Sequence, residues 1–270
     1  MRYLVFTDLD GTLLDHHTYS GIKAEKALKD LNASGIPVIF CSSKTFEEQV
    51  LLQKKLKTGH PFIVENGSAI VFPATYFAFQ PENSTRLSDK YNMIVLAKKD
   101  INDIHVMLKN INEGKNNPWY GFSDATLKEI GEATGLKGAA INRAKERWFT
   151  ETMLSPPPTT SVNSILESNG FCLSRGGRFL TIQDKTIDKG KAATLVVQLF
   201  AKLWNSRIIS VGIGDSLNDA ALLKVVDKPF LVQKPDKTWA AIDIQGLTNI
   251  EGVGPEGFLM MANSLLTDIN

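Results

Sequence analysis

Residues 3–10, YLVFTDLD, form a short continuous apolar run that stops at two carboxylates, Asp8 and Asp10. A run of this length and β-branched or aromatic content reads as a strand buried on both faces, as in a parallel sheet. Side chains two residues apart on extended backbone share a face, so Asp8 and Asp10 point the same way. Like charges that close raise each other's pKa unless positive charge lies between them, and the pattern therefore asks for a cation.

Beyond Asp15 the chain settles into a strand-then-helix rhythm. IKAEKALKDLNASG at 22–35 has helical spacing and a terminal glycine, IPVIFCSS at 36–43 is a second strand, and Thr45 with Glu48 is a capping-box signature for a helix to about Leu56. PFIVENGSAIVF at 61–72 sets Asn66-Gly67 between two strand-like runs, a tight-turn signal. From about residue 85 to 186 the rhythm is replaced by a strand-like YNMIVLA, three helical patterns, a proline-rich loop SPPPTT at 155–160 and the hairpin-like GFCLSRGGRFLTI. It then resumes with a helix from about Gly190, the strand RIISVGI, a helix over 216–225, the strand PFLV and a last helix from Glu256. The expected fold is α/β: a Rossmann-like, doubly wound parallel-sheet core from residues 1–84 and 187–270, interrupted by an α+β cap at 85–186.

Composition narrows the function. Thirty basic against 29 acidic side chains, with 43% hydrophobic and 22% charged residues in 270, describe an ordinary globular chain with no global attraction to nucleic acid. The first apolar run breaks at Asp8, too early for a signal peptide or a membrane span, so a cytosolic protein is expected. Cys41 and Cys172 make neither a disulfide framework nor a zinc site and read as reduced structural thiols. Nothing in the sequence fixes an oligomeric state.

Ligands of doubly wound sheets sit beyond the carboxyl ends of the strands. Asp8 and Asp10 follow the first strand, Ser42 and Ser43 the second, and Asp215 the strand SVGIG. Three acids and two hydroxyls converging there suit Mg²⁺, which takes few carboxylates and keeps several waters. With phosphorus as target, Asp8 is a candidate nucleophile and Asp10 a candidate acid-base. Lys189, at the start of a helix, would stabilise charge on the transferring oxygens; Asp219 would hold that lysine and Asn218 orient the metal or its waters. A calcium loop fits DLDGT poorly, because Gly11 is fourth from Asp8 and follows a strand. A dinucleotide loop fits GIGDSL poorly, because Leu217 stands where the third glycine belongs.

DLDGTLLD, VIFCSSK, DKGKA and GDSLND, in that order, resemble the four motifs of the haloacid dehalogenase superfamily of Mg²⁺-dependent phosphatases. The resemblance implies Asp8 as nucleophile and metal ligand, Asp10 as acid-base with its backbone carbonyl on the metal, Ser42 and Lys189 as phosphoryl ligands, and Asp215 as metal ligand. The long insert is similar to the caps of the Cof-type branch. Within it, CSSKT (41–45), ENG (65–67), RWFTE (147–151), GGRF (176–179) and GPEG (254–257) resemble the mannosyl-3-phosphoglycerate phosphatase family, although Thr152 stands where that family usually carries proline.

That likeness implies a small phosphorylated sugar-glycerate as substrate, and the product would be a compatible solute. Arg178 would take the glycerate carboxylate and Glu151 a pair of sugar hydroxyls, with Ser43, Lys44, Asn66, Thr150 and Gly177 as neighbours. Two other readings share these residues: a phosphomutase passing the phosphoryl group to a sugar hydroxyl, and a binding module that kept the fold. The intact set Asp8, Asp10, Ser42, Lys189 and Asp215 argues against the second.

Overall fold

The computed structural model describes residues 1–114, 116–158 and 162–269, so the end of the proline-rich loop lies outside the described residues. In chain order its strands are β1 (Arg2–Thr7), β2 (Val38–Cys41), β3 (Phe62–Val64), β4 (Ala69–Pro73), β5 (Ser84–Arg86), β6 (Tyr91–Val95), β7 (Glu151–Met153), β8 (Phe171–Gly176), β9 (Phe179–Asp184), β10 (Ile208–Gly214), β11 (Lys228–Gln233) and β12 (Thr248–Val253). Its helices are α1 (Ile22–Ala33), α2 (Phe46–Leu56), α3 (Ile101–Asn112), α4 (Leu127–Thr134), α5 (Ala139–Lys145), α6 (Val162–Ser168), α7 (Lys189–Trp204), α8 (Ala220–Val225) and α9 (Pro255–Ile269).

A nine-stranded sheet runs in the order β12-β11-β10-β1-β2-β3-β4-β6-β5. From β12 to β3 the pairing is parallel, and from β3 to β5 it is antiparallel. The chain winds outward from β1 to β3 and later outward the other way from β10 to β12. The order therefore reverses between β1 and β10, and a crevice for ligands opens where two such halves diverge. The register Thr7↔Ile213 carries the two strands side by side to that crevice.

Alternation along β1 explains the layers. Leu4 and Phe6 pack with Ala192, Val196, Phe200 and Leu222 of α7 and α8, whereas Val5 packs with Ala24, Leu28, Phe258 and Met261 of α1 and α9. Both faces are covered, which is why the strand reads as an uninterrupted apolar run.

The sheet reaches further along the chain than the sequence suggests. A division at residues 84 and 85 cuts through β5, and β6, the YNMIVLA segment, pairs with β4 from Ala69↔Val95 to Pro73↔Tyr91. An apolar run identifies a strand without saying which sheet it joins, and here the larger sheet takes it. The smaller sheet, β7-β9-β8, is antiparallel and buries Trp119, Phe171, Ile182 and Met153 against α3 and α6. Among the described residues no helix is long and apolar enough to cross a membrane.

Phe200 is fully buried, with the Tyr76, Phe77 and Trp204 ring centroids 5.8, 5.9 and 4.9 Å away. Phe200→Ala is expected to cost about 3–5 kcal/mol in denaturant unfolding, because the surrounding rings refill such a cavity only in part.

Candidate active site

The turn after β1 is built to present carboxylates. Leu14 N–H and Thr12 N–H both donate to Leu9 O, Gly11 N–H donates to Leu14 O, and Gly11 adopts φ 81°. A β-carbon at Gly11 would lie 2.8 Å from Asp215 Oδ2, so glycine here gives both the left-handed turn and room for the neighbouring acid. Asp8 N–H donates to Ile213 O, which sets Asp8 beside the end of β10 and therefore beside Asp215.

Lys189 joins these pieces. It is the first residue of α7, with Asp188 as the N-cap accepting from Lys191 N–H, and its side chain is almost fully buried. Its Nζ donates to Asp8 Oδ1 at 2.6 Å and to Asp219 Oδ1 at 2.7 Å. Burial opposes its charge, but Asp219 and Asp8 outweigh burial and hold its pKa above the ordinary lysine value. Asp219 is itself fixed: its Oδ2 accepts from Asp215 N–H and Ser216 N–H, both at 3.1 Å.

Asp8, Asp215 and Asp219 each bring a carboxylate oxygen within 4.8 Å of the others. Asp219 has both oxygens committed. Asp215 Oδ1 and Asp10 Oδ1, by contrast, are buried without a hydrogen-bond partner. Orphaned anionic oxygens cost free energy unless a cation meets them, and hard oxygen donors are what a small divalent cation takes. The donor set fits such an ion with Asp8 and Asp215 as ligands and Asp219 as the anchor of Lys189. Burial, with Asp219 and Asp8 adding to it, pushes the Asp215 carboxyl well up; burial likewise pushes Asp8 up to about 7 against the pull of Lys189.

Above these acids lies an open cleft between the two sheets. Of the residues singled out from sequence, Asp8, Asp10, Ser43, Lys44, Asn66, Gly177, Arg178, Asp215 and Asn218 line it. Lys44 Nζ lies 2.9 Å from Asp10 Oδ2 and 3.4 Å from Glu48; burial opposes its charge, but Asp10 and Glu48 outweigh it and hold its pKa high. Asn66 Nδ2 donates to Gln183 Oε1 at 3.1 Å, and Asn218 Oδ1 accepts from Ser216 Oγ. Arg178 Nη2 donates to Tyr19 OH and, at 3.1 Å, to Thr134 O.

Besides Lys189 and Asp219, buried beneath the acids, three of the singled-out residues do not line the cleft. Ser42 is buried behind the cleft, its Oγ accepting from Lys44 N–H at 3.3 Å. Thr150 is fully buried with its hydroxyl donating to Glu65. Glu151 is not among the residues that line the cleft: its carboxylate is buried against Ser123, which donates through both its backbone N–H and its hydroxyl, and against His105 at 3.4 Å. The neighbouring Thr152 lines the cleft instead, on the opposite face of β7. His16, Tyr19 and Arg147 also line the cleft; they come from loops, where no periodic signal in the sequence singles them out. Cys41 and Cys172 are free thiols.

Residues 5–242 match the model of the haloacid dehalogenase-like hydrolase family. The chain belongs to the haloacid dehalogenase-like hydrolases. A glucosyl-3-phosphoglycerate/mannosyl-3-phosphoglycerate phosphatase of Persephonella marina is 35% identical over 259 residues, 94% of each chain. A protein of the same name from Methanococcoides burtonii is 34% identical, covering 96% of this chain and 95% of its own. A mannosyl-3-phosphoglycerate phosphatase of Pyrococcus horikoshii is 34% identical over 86% of this chain and 91% of its own. These relatives make this hydrolase a phosphoric monoester hydrolase. Among solved structures, one from Thermotoga maritima superposes with a TM-score of 0.63 at 17% identity, covering 98% of this chain and 97% of its own. At that identity the likeness speaks for the fold of the hydrolase alone.

Because burial raises Asp8 from the ordinary 3.8 to about 7, the metal-free fold favours its neutral form below that pH. A raised carboxyl contributes stability that is present below its unfolded pKa and lost as pH rises through the folded value. In chelator-treated protein, denaturation midpoints are therefore expected to fall between about pH 4 and 7, from the unfolded to the folded value, and Asp8→Asn is expected to flatten that fall. An unchanged slope in the variant would show that Asp8 ionises normally.

Proposed function

We propose that this hydrolase is a Mg²⁺-dependent phosphatase of mannosyl-3-phosphoglycerate or glucosyl-3-phosphoglycerate, releasing phosphate and the glycosylglycerate through an aspartyl phosphate on Asp8. The observation that carries the reaction is the buried contact of Lys189 Nζ with Asp8 Oδ1 at the floor of the cleft. That contact orients one carboxylate among several and keeps a cation beside it. The substrate comes from the names of the relatives.

A carboxylate oxygen of Asp8 attacks phosphorus while the phosphorus–oxygen bond to the glycerate breaks, and Asp10 gives its proton to the leaving oxygen. Water then attacks the phosphorus of the acyl phosphate, Asp10 takes its proton, and Asp8 leaves as free carboxylate. Asp8 and Asp215, with the Asp10 backbone carbonyl, would hold Mg²⁺, which supplies positive charge against the phosphoryl oxygens. Lys44 faces Asp10 before substrate enters. An incoming phosphate or carboxylate competes for that ammonium, and its departure leaves Asp10 free to carry the proton.

The three-stranded unit, which we read as the cap, faces this chemistry with the β8–β9 hairpin. Arg178 there donates to a phenol and a backbone carbonyl. A glycerate carboxylate is a stronger acceptor than either and would draw the guanidinium onto itself. A compatible solute of this type is a product made and used in the cytosol, where we place the enzyme.

Phosphate release should be measured with mannosyl- and glucosyl-3-phosphoglycerate, hexose phosphates and p-nitrophenyl phosphate, with and without Mg²⁺. Selectivity for a glycosyl phosphoglycerate, lost with chelator and reduced at least ~10³-fold in Asp8→Asn, is expected. Preference for a simple hexose phosphate would overturn the substrate, and an isomerised product without free phosphate would make the enzyme a mutase. Arg178→Ala is expected to raise KM for the phosphoglycerate ester roughly 10- to 100-fold, the loss of one charged hydrogen bond, while p-nitrophenyl phosphate turnover stays unchanged.

A further inference from the structure

Glu65 is fully buried, and nothing in the reaction above uses it. Its carboxylate accepts from three consecutive backbone N–H groups, Trp148 at 2.8 Å, Phe149 at 3.0 Å and Thr150 at 2.9 Å, and from Thr150 Oγ1 at 2.8 Å. Those donors lie 83 to 85 residues away, in the segment that leads into β7. Such a convergence of amides on one carboxylate does not arise from surface chance, because each donor had to be turned inward and desolvated.

The backbone of the same turn grips the other side. Glu65 N–H donates to Lys44 O at 3.1 Å and Asn66 N–H to Ser42 O at 2.9 Å. The carbonyl between them, Ser43 O, accepts from Arg147 Nη2 at 2.6 Å. Arg147 Nε in turn donates to Thr150 Oγ1, which donates to Glu65. The circuit is closed: three successive carbonyls of loop 42–44 are held by the turn and by Arg147, and Arg147 is held by the segment that Glu65 clasps. Both Glu65 (φ 47°) and Asn66 (φ 60°) sit in the left-handed region, which only well-determined surroundings maintain in non-glycine residues. Gly67 completes the turn at φ 102°, where a β-carbon would lie 2.2 Å from Asp188 O, so the turn also abuts the residue preceding Lys189.

We propose that Glu65, through Arg147 and Thr150, is a positioning residue that ties the location of the three-stranded unit to the loop presenting Ser43 and Lys44. The phosphoryl group is then met by a correctly placed loop only when segment 147–150 is seated. This rests on the reading of the cleft as a phosphatase site, and it concerns the phosphoryl end of the substrate, not the sugar. A grip on the sugar alone would alter KM for the glycosyl ester. Misplacement of loop 42–44 would slow every phosphate ester at saturation, since small displacements of positioning groups are costly to kcat.

The experiment is steady-state kinetics of Glu65→Gln, Arg147→Met and the double variant. It uses the glycosyl phosphoglycerate and p-nitrophenyl phosphate, each variant being assayed well below its own melting midpoint. The expected result is a kcat about tenfold lower on both esters with KM within about threefold of the parent, and a double variant no worse than the poorer single one. Unchanged kcat, a KM rise confined to the glycosyl ester, or losses that multiply in the double variant would each overturn the proposal. If Glu65→Gln does not fold, Thr150→Val removes the hydroxyl joining Arg147 to Glu65 and is judged by the same criteria. A parent enzyme that turns over p-nitrophenyl phosphate and no glycosyl phosphoglycerate would sink the substrate assignment, and the small ester alone would still decide the role of Glu65.

Discussion

The ammonium of Lys189 lies between Asp8 and Asp219, and the rest of the site is arranged around it. Three ionisable groups sit in nearly complete burial. Taking such groups out of water costs several kcal/mol each, and their mutual attraction offsets that only when geometry is good and the remaining lone pairs are occupied. Here Asp219 has both oxygens filled, one by Lys189 and one by two backbone N–H groups. The residual imbalance falls on Asp8, Asp10 and Asp215, the acids that face the cleft. Stability is thus conceded at the acids that line the cleft and retained at Asp219 behind them.

Topology explains how residues so far apart in sequence meet. Strands β1 and β10 start the two halves of the parallel sheet and lie next to each other because the order reverses between them. Their carboxyl ends therefore share one crevice, and the helix that precedes β10 delivers Lys189 to the same place. The three-stranded unit is inserted between the halves and returns over the crevice, with β9 leading back toward α7. The cleft is therefore lined from below by the carboxyl ends of the parallel strands and from above by the β8–β9 hairpin.

The parts of this design that were legible in sequence are those with a local signature. Asp8, Asp10 and Asp215 terminate apolar runs, Thr45 and Glu48 form the capping box seen at α2, and Lys189 opens a helix. Other features depend on partners that no local pattern announces. Glu65 looks like an ordinary turn acid until the amides of residues 148–150 arrive. Glu151 resembles a solvent-facing ligand, yet its immediate environment is Ser123 and His105. Strand β12, TNIEGV, has no fully buried residue at the sheet edge and so lacks the alternation that reveals a strand. YNMIVLA reads as a strand and is one, but its partner does not show in the sequence, since pairing with β4 is a matter of register and not of composition.

Strand β1 is complete within the first seven residues, but its neighbour β10 begins at Ile208. During synthesis β1 must wait beside β2 until about two hundred further residues have left the ribosome, because loop closure over so long a separation has to precede the contact that rewards it. A nascent chain stopped short of β10 would leave one side of β1, buried from Leu4 to Thr7 in the finished sheet, as an open edge. The meeting of Asp8 with Asp215 at the crevice is thus a late event in translation, and chains cut short of it present that open edge to chaperones and proteases.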